Sequence, residues 1–143
     1  MKKILLPAAL TMLTLGVQAQ MLKPAQVPTA VMITFKAKFP QVKSNTWEKE
    51  GTKYEAGFTL NGKTMSVLIT PAGELMETET DMSPAHLPTA VRTKLASDYK
   101  SYKINEAATI TRADGSTVYE AEVTRNGKAH DVLFNADGSL AKK

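Results

Sequence analysis

The residues with the most chemical capacity in this chain stand in "GELMETETD", where Glu74, Glu77, Glu79 and Asp81 fall close together. On a strand, Glu77 and Glu79 project from one face. Two neighbouring carboxylates could hold a hard cation, which takes oxygen ligands, or pass a proton in acid–base catalysis. The plainer assignment is the wet face of an edge strand, where charge discourages edge-to-edge association. The stretch lacks the spacing of an Asp-x-Asp-x-Asp-Gly calcium loop. The expectation is therefore no metal site, with Glu77 and Glu79 as the alternative pair.

Other chemistry finds less support. His86 lies in the linker "MSPAHLP" and reads as a surface loop residue, whereas His130 takes a strand position. Two histidines without fixed spacing, in a chain without Cys, do not make the clustered N/S set that zinc prefers. There is no Gly-x-Ser-x-Gly elbow and no thiol nucleophile. The glycines are spread at hairpin spacing, so no phosphate loop and no cofactor are expected. Short strands and helices leave little room for a deep pocket. The chain reads as a non-enzyme.

Binding is the remaining class. Trp47, the single Trp, stands in "SNTWEKEG", and Tyr99 and Tyr102 flank a helical stretch. Each can be a core cover or an exposed anchor, since Trp and Tyr are enriched at binding hot spots. Trp47, Tyr99 and Tyr102 are the candidate partner-binding residues. Tyr54 and Tyr119 occupy matched positions, which favours a shared core role for them.

The elements that must position these residues come in two similar sets. "VPTAVMITFKAKF" (27–39) and "LPTAVRTKLASDY" (87–99) share Pro-Thr-Ala-Val at an offset of 60. Val31, Phe35 and Phe39, and then Val91, Leu95 and Tyr99, recur at i, i+4, i+8, the stripe of an amphipathic helix. Pro28 and Pro88 suit a first helical position, and Pro40 ends the first helix. After each helix the period switches to two: Tyr54, Ala56, Phe58 and Leu60, then Tyr119, Ala121 and Val123, alternate with polar residues. That is the pattern of antiparallel strands with one buried face. Asn61-Gly62, Asp114-Gly115, Asn126-Gly127 and Asp137-Gly138 mark tight hairpins.

The fold class expected is α+β, a tandem repeat of one helix plus a four-stranded antiparallel meander, with the helices packed on one face of the sheet or sheets. "YEAGFTLNGK" (54–63) aligns with "YEAEVTRNGK" (119–128) at an offset of 65, and the five extra residues are expected in "KSYKINEAAT". Trp47 then matches Thr111. The repeat periodicity leaves open one continuous sheet or two lobes. The repeats are placed at 27–82 and 83–143.

Residues 1–19 read as a secretory signal peptide, with Lys2 and Lys3, an apolar run and a Val17-Gln18-Ala19 cleavage site. Residues 20–26 read as a poorly ordered leader. Removal of 1–19 lowers the formal charge from +4 to +2, which is no footprint for nucleic acid or anionic lipid. No membrane span is expected in the mature chain, whose site of action would be the periplasm or the exterior. A domain without disulfides must be held by its core.

The segments Tyr119-Glu120-Ala121-Glu122-Val123, Asn126-Gly127-Lys128, Asp131-Val132-Leu133-Phe134 and Ala136-Asp137-Gly138-Ser139-Leu140 resemble the strand core of PepSY domains. The whole plan is similar to β-lactamase-inhibitor-like, PepSY-like proteins exported by bacteria of the Bacteroidetes group. The resemblance implies a non-enzymatic envelope or secreted module that meets a protein or peptide partner, such as a peptidase, as inhibitor or chaperone. The β-lactamase inhibitor protein presents a concave sheet to its target, but its repeats carry disulfides and this chain has no Cys. The resemblance carries no inhibitory residue over. The alternative is an extracytoplasmic ligand or divalent-cation binder using strand 74–81. An apolar uncovered sheet face would speak for partner binding, a wholly charged one for a spacer.

Overall fold

The computed structural model describes residues 20–142, so the expected signal peptide lies outside the described residues. The strands are β1 (Gln20–Leu22), β2 (Asn45–Glu50), β3 (Lys53–Leu60), β4 (Lys63–Ile69), β5 (Leu75–Met82), β6 (Lys103–Arg112), β7 (Thr117–Arg125) and β8 (Lys128–Phe134). They form one antiparallel sheet in which spatial order equals chain order. Helix α1 (Thr29–Lys38) links β1 to β2, and α2 (Thr89–Asp98) links β5 to β6. A 3-10 turn precedes each helix, Pro24–Gln26 and Pro84–His86.

Each helix begins one residue after its proline. Pro28 and Pro88 have ψ of 145°, outside the helical region, and their carbonyls accept the first helical bonds, from Met32 and Arg92. Phe39 N–H still donates to Phe35. Pro40 has no N–H with which to continue.

The register explains why one sheet face is apolar. Phe58, Met65, Thr80, Thr109, Tyr119 and Phe134 are successive partners across β3 to β8, so their side chains share a face. Phe35 of α1 meets Trp47 and Phe58 on that face, with ring centroids 5.3 Å apart in both pairs. Tyr99, just after α2, meets Phe134 at 6.2 Å. Two clusters result: Val31, Phe35, Trp47, Ala56, Phe58, Val67 and Ile69 under α1, and Val91, Leu95, Ala107, Ala121, Val123, Val132 and Phe134 under α2.

Four expectations need correction. Glu77 and Glu79 do not stand on an edge strand, because β5 pairs with both β4 and β6. Residues 20–26 are not a loose leader: β1 pairs with β2, placing Leu22 opposite Trp47, and Leu22 packs against the first cluster. Burial of that side chain and the ladder bonds offset the entropy of ordering the segment. Four strands follow α1, but three follow α2. The expected fourth contracts to a single bridge between Phe134 and Leu140. The five extra residues also lie elsewhere. Leu22, Trp47 and Ala56 are neighbours in the first half, and Met82, Ala107 and Ala121 in the second. The offset is thus still 60 at Ala107 and becomes 65 by Ala121. The addition lengthens the β6–β7 hairpin, and the counterpart of Trp47 is Ala107, not Thr111.

Two glycine turns press against the helices. Gly73 and Gly138 have φ of 90° and 83°, and a Cβ there would lie 2.9 Å from the Ala30 carbonyl oxygen and 2.7 Å from that of Ala90. The Thr34 hydroxyl donates to the Gly73 carbonyl at 2.6 Å. Gly115 has a similar φ but open space around it. Gly138→Ala must therefore cost both backbone strain and displacement of α2, roughly 2–4 kcal/mol, against about 1 kcal/mol for Gly115→Ala. Urea unfolding of the two variants checks this, and equal losses would show that the turn does not brace the helix.

Candidate functional site

The face opposite the helices gathers acid. Alternation along each strand sends Glu48 and Glu50 of β2, Glu55 of β3, Glu77, Glu79 and Asp81 of β5, Glu106 of β6, Glu120 and Glu122 of β7, and Asp131 of β8 to this open face. That is ten of the chain's 14 carboxylate residues. The cations sharing the face are Lys53, Lys103 and Arg112. Glu48 stands directly opposite Glu55, and Glu106 opposite Glu122, which stands opposite Asp131. Like charges so placed repel.

The face is not wholly charged. Ile110 and Val118 are buried, and Leu68 and Leu133 are half-buried. A hollow of about 880 Å³ lies over its β1–β6 part, with Met21, Glu48, Glu55, Ser66, Glu79, Asp81 and Glu106 among its walls. Beside it Glu50, Glu55, Ser66, Leu68, Glu77 and Glu79 enclose a narrow recess.

Glu79 is the centre of this arrangement. It is 4% exposed, and its Oε1 is buried without a hydrogen-bond partner. Its register neighbours are Ser66 on β4 and Ile110 on β6. The Ser66 hydroxyl is engaged by Glu55 and Ile110 has nothing to donate. Burial, reinforced by Glu120, Glu55, Asp81 and Asp131, pushes the Glu79 carboxyl up to about 9. Burial also raises Glu55 to about 7 despite the Ser66 hydrogen bond, with Glu50 and Glu48 adding to the rise. Glu50 is raised by burial and then by Glu77, and Asp81 by burial. Glu106 is raised by burial, then by Glu122, Asp81 and Asp131. Near neutral pH Glu79 holds a proton that an exposed glutamate would have released.

The residues singled out from sequence take different places. Trp47 is 2% exposed and lies in the core, packed edge-on to Phe35, so it offers no surface to an exposed-anchor role. Tyr99 and Tyr102 are half-buried and pack against each other at 5.4 Å on the helix side. Tyr102 also meets the His130 ring at 5.6 Å and lies under the Arg125 guanidinium. Tyr54 and Tyr119 pack against the first and second clusters respectively. His86 is exposed on its 3-10 turn. Glu77 and Glu79 do share the open face, but Glu77 pairs with Arg112 at 3.6 Å, and no group of three metal-ligating residues occurs among the described residues.

The other seven carboxylates on the open face were missed as a set. Their signal was present in "YEAGF" and "YEAEV", where Glu55, Glu120 and Glu122 alternate with buried residues. What no single strand shows is that a meander lays these polar faces side by side.

An eight-stranded antiparallel meander with two short helices and an uncovered acidic face defines a class of small α+β modules. The chain belongs to the family described as "Putative beta-lactamase-inhibitor-like, PepSY-like", whose profile matches residues 15–75 and again 60–142. Among solved structures it is similar to a "putative periplasmic" protein of Bacteroides eggerthii, at 22% identity and a TM-score of 0.72, covering 81% of this chain and 86% of that one. A DUF2874 family protein of Bacteroides ovatus matches at 23% identity and a TM-score of 0.69, over 80% and 84%. A BLIP-like protein of Bacteroides fragilis matches at 25% identity and a TM-score of 0.64, over 80% and 84%. No curated protein matches the chain. No helix among the described residues is long and apolar enough to cross a membrane.

The buried acids give stability a definite pH dependence. A carboxyl whose folded pKa is raised stabilises the fold while both states are protonated, and loses that contribution as pH climbs through the folded value. For Glu55 and Glu79 the loss begins near the unfolded value of about 4.5 and continues through about 7 and about 9. Unfolding free energy must therefore fall between pH 5 and pH 9, by up to about 1.4 kcal/mol per pH unit from Glu79 alone. Glu79→Gln flattens that slope in urea titrations at several pH values. An unchanged slope would mean that Glu79 is ionised in the fold.

Proposed function

We propose that the chain is an exported, non-enzymatic protein-binding module built from two copies of a helix-plus-meander unit, 27–82 and 83–143, and that the open sheet face is its contact surface. The observation that carries this reading is Glu79. Leaving a carboxyl buried with an unmade hydrogen bond costs folding energy, and a spacer gains nothing from it. Mixed apolar and charged composition over a broad hollow suits a contact surface better than either a solvated face or a catalytic cleft. Membership of an inhibitor-like family and similarity to a BLIP-like protein support a binding role. The exported location draws support from the sequence of residues 1–19 and from a periplasmic structural neighbour. An inhibitor or chaperone-like role toward an envelope or secreted protein, such as a peptidase, is the form this function takes.

The duplication is supported by the shared Leu22–Trp47–Ala56 and Met82–Ala107–Ala121 registers and by the matched Gly73 and Gly138 contacts. Immobilised protein lacking residues 1–19 is expected to retain one saturable partner from a periplasmic extract. A variant with a bulky label fixed at Thr59, on the open face, should lose that partner, whereas one labelled at Ala96, on α2, should keep it. Retention by the Thr59-labelled form, or failure to retain any partner, would overturn the assignment of the contact surface.

A further inference from the structure

We infer that the open face receives a lysine- and arginine-bearing segment of the partner protein, laid in extended form across the strands from β3 to β8. The inference rests on the binding-module reading and specifies the chemistry of its partner.

Two independent observations meet here. One is the charge of the face, ten carboxylates against three cations, with Arg112 already engaged by Glu77. The other is Glu79 Oε1, buried at the hollow with no hydrogen-bond donor of its own. An acceptor left without a donor inside an acidic surround is satisfied by an incoming N–H, and a cationic N–H relieves the repulsion as well. The size of the hollow favours a chain segment over a single ion. Strands lie about 4.8 Å apart, so Glu55 on β3 and Glu79 on β5, two strands and two residues of register apart, have backbones separated by roughly 12 Å. Alternate side chains of an extended segment repeat every 6–7 Å or so, which lets successive cations reach successive acidic strands. Leu68 and Leu133, half-buried between the acids, give the methylene stems of Lys and Arg an apolar track.

Docking of this kind has a protonic signature. Glu79 faces Glu55 from β3, Ser66 from β4, Glu77 and Asp81 on its own strand, Ile110 and Arg112 from β6, Glu120 from β7 and Asp131 from β8. With carboxylates dominating that set, the uncomplexed face holds protons near neutrality, and an arriving cation displaces them. Binding must therefore release protons and tighten as pH rises from 6 to 8.

The test uses the chain without residues 1–19 and a synthetic ten-residue peptide of alternating Lys and Ser, with its Lys-acetylated form as control. Calorimetry in two buffers of different ionisation enthalpy is expected to give saturable binding of the Lys peptide and release of about one proton. Affinity should drop at least about tenfold between roughly 50 and 500 mM salt. The acetylated peptide should not bind. Glu55→Gln/Glu79→Gln, with its fold checked by circular dichroism, should bind with little proton release. Glu106→Gln/Glu122→Gln, at the more exposed end of the face, should weaken binding while retaining the release. The inference is overturned if the Lys peptide fails to bind, if the acetylated peptide binds as well, or if no proton is released. It is also overturned if calcium alone binds saturably and excludes the peptide. Capture of a periplasmic partner by the Thr59-sensitive face together with any of those results would leave the module reading standing and remove the cationic-partner inference alone.

Discussion

Two ten-residue helices can cover only one face of an eight-stranded sheet, and everything else in the molecule follows from how the chain uses the other. The covered face is apolar because Val31, Phe35, Val91 and Leu95 must be buried against it. The uncovered face had the choice of becoming solvated and neutral in design, and instead it concentrates charge of one sign. Separate strands each contribute one to three carboxylates, a pattern unremarkable strand by strand. Side by side they form a surface in which burial, reinforced by the neighbouring carboxylates, keeps Glu79 and Glu55 protonated well above the usual carboxylate range. The energetic weakness of the face and the binding proposed for it rest on the same property.

Sequence periodicity was sufficient for both helices and for β2 to β8, but it missed β1 and added a strand after β8. Both helices, the alternation in β3 and β7 and the glycine turns were legible because each depends on residues within a few positions of one another. The order of the strands within each meander also follows from the hairpin turns, whereas the β1–β2 and β5–β6 pairings, made across helices, do not. What could not be read were features depending on register between distant segments. The similarity of "LKPAQVPTAV" (22–31) to "MSPAHLPTAV" (82–91) begins before the prolines that drew attention. Followed to its start, it would have shown that the residues ahead of α1 have the same duty as the end of β5. The offsets of 60 at the helices and 65 at the aligned strands bracket the extra residues without placing them. The ladder shows the growth occurred within the hairpin itself.

The aromatic residues illustrate the same limit. Trp47 fills the space under α1 together with Phe35, Phe39 and Phe58. Its counterpart Ala107 cannot do so, and Tyr99, Tyr102 and Phe134 supply bulk from other positions. The two cores keep similar apolar character with different distributions of volume, as packed interiors tolerate when total volume and patterning are maintained. No alignment of one residue with one residue reveals such an exchange. An aromatic without a partner in the other half therefore looks available for binding when it is in fact holding a helix.

Strand β5 pairs with β4 on one side and β6 on the other, and among the described residues no other strand joins the two halves. It closes the first meander and also occupies, ahead of α2, the position that β1 holds ahead of α1. The two halves are thus overlapping rather than adjacent, with one strand counted in both. Such an arrangement behaves as a short one-dimensional array with a nearest-neighbour coupling concentrated in a single element. Neither half can lose that strand without leaving an unpaired edge on the other. The molecule consequently has no natural line along which to divide. Whatever the sheet transmits between the halves passes along the eight residues of Leu75–Met82, which include the most perturbed acid on the open face.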